Sequence, residues 1–69
     1  MRLLKVKLNG AEISLASSLT LEQLLLTKKL ELDCVVVEYN EKIVKRNELA
    51  AIILKERDEI EVLRFVGGG

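Results

Sequence analysis

From residue 2 to 8 apolar and polar side chains alternate, with Leu4, Val6 and Leu8 on one face and Lys5 and Lys7 on the other. A period of two marks a strand with one buried face. Asn9-Gly10 follows, and both residues tolerate positive φ, so the pair closes a tight hairpin. Alternation resumes over Ala11–Leu15 with Ala11, Ile13 and Leu15 inward, and the chain is expected to open as a β-hairpin. The period then changes. In SSLTLEQLLLTKKL, Thr20 and Gln23 have the spacing of a capping box, and Leu21, Leu24 and Leu25 share one helical face. A helix is predicted over 21–29, with Lys28 and Lys29 in the last turn, where the helix dipole favours cations. The β-branched run CVVVEY (34–39) reads as a third strand with Val35, Val37 and Tyr39 inward. Asn40-Glu41 turns into a short strand, KIV, and Asn47 is placed as the cap of one helical turn through ELA. KERD (55–58) reads as a charged surface turn, and EIEVLRF (59–65) as the final strand with Ile60 and Val62 inward.

The order is ββαβ(β)β, with one long helix available to cover one sheet face. That is an α+β arrangement. The simplest solution places the first and last strands side by side at the centre of a mixed, four- to five-stranded sheet, which is the ubiquitin-like β-grasp. Residues 1–66 are assigned to this domain and residues 67–69 to a flexible Gly-Gly-Gly tail.

Composition narrows the function. A chain of 69 residues has one small core and little room for a deep pocket. Eleven basic and eleven acidic side chains cancel, and like charges do not cluster into long blocks, which argues against a nucleic-acid or anionic-membrane partner. The longest apolar run, LAAIIL (49–54), is too short to span a bilayer, and Lys5 and Lys7 interrupt any signal-peptide core. A single cysteine suits a reducing, cytoplasmic setting. The chain has no histidine, so neither a Cys–His nucleophile pair nor a tetrahedral zinc site can be built within it. No catalytic residue, metal ligand or bound cofactor is expected.

What remains is RFVGGG (64–69). Glycine packs against nothing and loses the most backbone entropy on ordering, so three in a row add nothing to a core. They are either a loose end or a thread made to enter something. The strand into LNG, the segment VVVEYNEKIVKR and above all RDEIEVLRFVGGG resemble the ThiS family of ubiquitin-like sulfur carriers in thiamin (thiazole) biosynthesis. The resemblance spans nearly the whole chain. It departs at Lys45, where the family commonly has proline, and at Glu41 and Arg57, where it usually has glycine; these touch the turns and leave the tail intact.

The resemblance implies a shuttle, not an enzyme. An ATP-using, ThiF-type adenylyltransferase would activate the carboxylate of Gly69. Sulfur from a cysteine desulfurase, carried as a persulfide, would then replace AMP and leave a thiocarboxylate. A ThiG-type thiazole synthase would take the sulfur. Gly67 and Gly68 would thread into the partners' active sites; a bulky residue at Gly68 or Gly69 would block entry, whereas one at Gly67 would be tolerated. If Ile60 and Val62 face the helix, Leu63 and Phe65 face away, beside Val36 and Leu3; with Val66 they form the expected docking face. Cys34 reads as a small packing residue at a strand start. Three rivals share parts of this pattern: the small subunit of molybdopterin synthase, a ubiquitin-like modifier joined to lysines, and a plain binding module with a loose end.

Overall fold

The computed structural model describes residues 3–64; Phe65, Val66, Gly67, Gly68 and Gly69 lie outside the described residues. The hairpin forms as the alternation requires. Strands β1 (Leu4–Leu8) and β2 (Ala11–Leu15) pair antiparallel with Leu4 opposite Leu15, and Asn9 and Gly10 take φ of 51° and 83° in the turn between them. A Cβ on Gly10 would meet nothing within 4 Å, so the dihedral and not crowding selects glycine there. Ala11, expected inward, is exposed; it sits opposite Leu8 at the hairpin tip.

Helix α1 (Leu21–Thr27) starts where the capping box places it. The Gln23 amide donates to Thr20 Oγ1 (3.1 Å), and the Thr20 amide donates to Gln23 Oε1 (2.9 Å). The helix stops two residues earlier than the sequence pattern predicts. Lys29 turns left-handed (φ 60°), its amide donates to the Leu26 carbonyl (3.0 Å), and the Leu30 amide reaches back to Leu25 (3.4 Å). These two bonds satisfy carbonyls of the last turn in the manner of a Schellman motif, with lysine at the place glycine usually takes. Lys28 and Lys29 therefore form the cap and are not part of the helix.

After a 3-10 turn (Leu32–Cys34), β3 (Val35–Tyr39) and β4 (Lys42–Val44) form a second hairpin. A longer 3-10 helix (Arg46–Ala51) follows, and β5 (Glu59–Arg64) ends the described chain. Asn47 does not cap that 3-10 helix. It lies inside the first turn, and Glu48 Oε1 accepts from the Lys45 amide (2.8 Å) instead. Cys34 closes the 3-10 turn ahead of β3 and is partly buried.

The sheet order is β2-β1-β5-β3-β4, with β1 and β5 parallel and the other neighbours antiparallel. This is the β-grasp arrangement, with first and last strands adjacent at the centre. Leu21, Leu24 and Leu25 of α1 meet Val6, Val37 and Ile60 of the three central strands, while Leu32, Leu49 and Leu54 close the sides. Each such side chain contributes about 1.5–3 kcal/mol on burial. Among the described residues the opposite face of the sheet carries no helix.

Candidate functional site at the exit of β5

β5 is central and its register is set from both sides. Val35 lies opposite Arg64, Val36 opposite Leu63, Glu38 opposite Glu61 and Tyr39 opposite Ile60. On the other flank, Lys7 lies opposite Glu59 and Leu8 opposite Ile60. Ile60 and Val62 turn inward, so Glu59, Glu61 and Leu63 stand on the helix-free face.

That face changes character along β5. Glu38, Glu41, Glu59 and Glu61 line one shallow cleft near its start. Leu63, 67% exposed and directly across from Val36, marks the apolar end beside the exit at Arg64. The expected pairing of Leu63 with Val36 is therefore present, whereas Phe65 and Val66 fall outside the described residues.

Leu3 does not join them. β1 and β5 run parallel with Lys7 opposite Glu59, so Leu3 lies four residues before that level and Leu63 four residues after it. At ~3.3 Å per residue the two are ~26 Å apart along the strands. Leu3 instead borders a shallow depression with Leu4, Ser17, Ser18 and Glu56. Alternation assigns a face but not a position along it, which is why Leu3 was misplaced.

Two asparagines at the site carry no chemical motif, yet both hold β5. Asn9 donates its amide to the Ile60 carbonyl (2.8 Å), and its Oδ1 accepts from the Val62 amide (2.8 Å). Asn40 does the same on the other flank: its amide donates to the Glu59 carbonyl (2.8 Å), and its Oδ1 accepts from the Glu59 amide (2.8 Å). Both sit at the first position of a hairpin turn with positive φ, 51° and 49°. The signal in the sequence was Asn at a turn, read there only as a residue tolerant of that dihedral.

Asp58, expected in a surface turn, is 4% exposed. It accepts from Tyr39 Oη (2.6 Å), Asn40 Nδ2 (3.1 Å) and the Lys55 amide (2.7 Å), tying the β3–β4 turn to the approach to β5. Burial pushes its carboxyl up, but the hydrogen bonds from Tyr39, Asn40 and Lys55 outweigh that and hold it below the usual range. Burial, together with the bond to Asp58, raises the Tyr39 phenol. Lys55 Nζ donates to Tyr39 Oη (3.2 Å), which raises the lysine. Among the described residues no group of three or more His, Cys, Asp or Glu is arranged to hold a metal ion.

The family model for the ThiS family matches residues 5–69. The sulfur carrier protein ThiS of Bacillus subtilis is 35% identical over 65 residues, a match covering 93% of this chain and 98% of that protein. The chain belongs to the ThiS family. A crystal structure of the thiamine biosynthesis protein ThiS from Geobacter metallireducens superposes with a TM-score of 0.81 at 30% identity, covering 96% of this ThiS-family chain and all of that one. A thiazole synthase of Magnetococcus marinus is 39% identical over 66 residues, but the chain spans only 20% of its length. Among the described residues no helix is long and apolar enough to cross a membrane.

Proposed function

We propose that this chain is a sulfur carrier in thiamin thiazole biosynthesis that acts through the carboxylate of Gly69. The observation that carries the reading is the alignment of nearly the whole chain with a sulfur carrier protein ThiS, on a fold whose central strand leads directly into residues 65–69. From Arg64 to Gly69 is five residues, a reach of at most ~18 Å when extended. Gly67, Gly68 and Gly69 would pass a narrow entrance that a bulky side chain at Gly68 or Gly69 would obstruct.

A carboxylate is a poor electrophile. In the proposed sequence, an oxygen of Gly69 attacks the α-phosphorus of ATP on a ThiF-type enzyme, and pyrophosphate leaves. The terminal sulfur of a persulfide supplied by a cysteine desulfurase then attacks the acyl carbon and AMP leaves. A thiol cleaves the resulting acyl disulfide, freeing the thiocarboxylate and forming a disulfide with the former persulfide sulfur. The activated end works in partner active sites, so the chain is a co-substrate and ATP is the partner's. Val36 and Leu63, with Phe65 and Val66, form the docking face; Leu3 is not part of it.

The relative named as a thiazole synthase contains a segment similar to this chain, which favours a ThiG-type acceptor over a molybdopterin synthase or a lysine on a target protein. The test is to give the thiocarboxylated chain to thiazole synthase with its co-substrates, and separately to the molybdopterin synthase large subunit with its pterin precursor. Loss of sulfur only in the first arm is expected. Loss only in the second, or an isopeptide adduct on another protein, would overturn the assignment.

A further inference from the structure

The β1–β2 turn joins an asparagine to a glycine, and that pair has chemistry of its own. The Gly10 amide nitrogen can attack Cγ of Asn9: a bond forms between them, the Cγ–Nδ2 bond breaks, and the Gly10 amide proton leaves with Nδ2 as ammonia. Water then opens the cyclic imide, at Cγ to give aspartate or at the main-chain carbonyl to give isoaspartate, with no oxidation or reduction. Access does not prevent this. Asn9 and Gly10 are exposed, and beyond its chain neighbours nothing lies within 4 Å of the place a Cβ on Gly10 would take. Conformation does. With φ of 51° and 83° the turn is type I′, in which ψ of the first residue is about +30°. Cβ of Asn9 then lies almost opposite the Gly10 nitrogen across the Cα–C bond, whereas the imide ring requires both on the same side. Two bonds to β5 fix Asn9: its amide donates to the Ile60 carbonyl (2.8 Å), and its Oδ1 accepts from the Val62 amide (2.8 Å). The pairing of Leu8 with Ala11 fixes Gly10 between them.

We propose that Asn9 is a deamidation site that the folded hairpin holds closed, so that modification occurs in chains whose β1–β2 turn has opened. The other two asparagines mark the contrast. Asn40 occupies an equivalent turn, φ 49° followed by 73°, and its Oδ1 likewise accepts from β5, at the Glu59 amide. The residue after it is Glu41, whose side chain crowds the attacking nitrogen, and Asn47 is followed by Glu48. Only Asn9 has glycine next to it. Isoaspartate formation there puts the former side-chain carbonyl into the main chain and lengthens the turn by one backbone carbon. The Val62 amide then loses its side-chain acceptor, and the two-residue hairpin no longer closes in the same register.

To test this, the full-length protein is incubated at neutral pH, folded in buffer and unfolded in guanidinium chloride, and sampled by digestion. The peptide that contains Asn9 is followed for a mass gain equal to replacement of an amide NH2 by OH, with aspartate and isoaspartate forms separated by chromatography. Asn9→Asp supplies the aspartate standard; Asn9→Gly, which suits the same φ and has no amide to lose, is the blank. In the unfolded chain the gain is expected at Asn9 ahead of Asn40 and Asn47. In the folded chain it is expected to be slower by at least about fivefold, because opening breaks two hydrogen bonds. Guanidinium added below the unfolding midpoint should speed it in step with hydrogen exchange of the Val62 amide. A gain as fast in the folded chain as in the unfolded one would show that the turn does not hold the site closed. No gain at Asn9 in the unfolded chain, an earlier gain at Asn40 or Asn47, or a folded-state rate that does not follow Val62 exchange would equally overturn the proposal.

Discussion

Lys29, Glu41 and Arg57 hold φ of 60°, 73° and 71°, in the region where a Cβ is strained by about 1–2 kcal/mol per residue. Glu41 and Arg57 stand where the resemblance led glycine to be expected, and both turns are left-handed. At Arg57 the backbone is held by its amide bond to the Lys5 carbonyl (2.7 Å). Arg57→Gly and Lys29→Gly should each raise the urea midpoint, a gain of about 0.5–1 kcal/mol after the extra chain entropy of glycine is subtracted. A lower midpoint would show that the arginine or lysine side chain contributes more than its backbone strain removes. Asp58 supplies the second residue-scale prediction. Its depressed carboxyl adds stability that is complete above the unfolded value of about 4 and is lost as pH falls through the folded one. The raised Tyr39 phenol adds stability that is complete below about 10 and is lost as pH rises through its folded value. Urea melts across pH should therefore show a plateau that declines at both ends. Asp58→Asn should lose about 1–3 kcal/mol at pH 7, because its one carbonyl oxygen can serve either Tyr39 and the Lys55 amide or Asn40 Nδ2 but not both, and its acid decline should be shallower.

Among the elements, α1 carries stability and the helix-free face carries the proposed docking. Leu24 and Leu25 are 2% and 0% exposed, and either one changed to alanine should cost about 2–5 kcal/mol, read as a drop in urea midpoint. Leu63→Ala should leave the midpoint within about 0.5 kcal/mol of wild type, since the side chain is 67% exposed. Its effect should appear as about a fivefold or greater rise in KM with the activating enzyme, the loss typical of an interface anchor. An unfolded Leu63→Ala protein, or one with unaltered KM, would remove Leu63 from the docking face. The elements themselves were legible where local chemistry is decisive. Alternation fixed both faces of β1 and β5, Asn9-Gly10 the hairpin, and Thr20 with Gln23 the helix start. The helix end was not legible, because Lys29 takes a place where composition points to glycine. Nor was the 3-10 start, because Asn47 has a capping side chain that the backbone does not use.

At the scale of the whole molecule, strand order followed from element order, yet positions along the sheet did not. Leu3 and Leu63 share a face by parity and are separated by register, which depends on where β1 pairs with β5. Asp58 was hidden for a similar reason: KERD is a surface turn by composition, and only the meeting of the β3–β4 turn with the approach to β5 buries its carboxylate. The same convergence places Asn9 and Asn40 on opposite flanks of β5. The fold thus anchors from both flanks the strand that leads to the glycines. The measurement that tests the sulfur-carrier reading most directly is the intact mass of the chain after incubation with a ThiF-type enzyme, ATP, a cysteine desulfurase and cysteine. The account predicts a gain equal to replacement of one carboxyl oxygen by sulfur, absent when Gly69 is deleted. An unchanged mass, with an enzyme that thiocarboxylates another carrier in the same reaction, would contradict it.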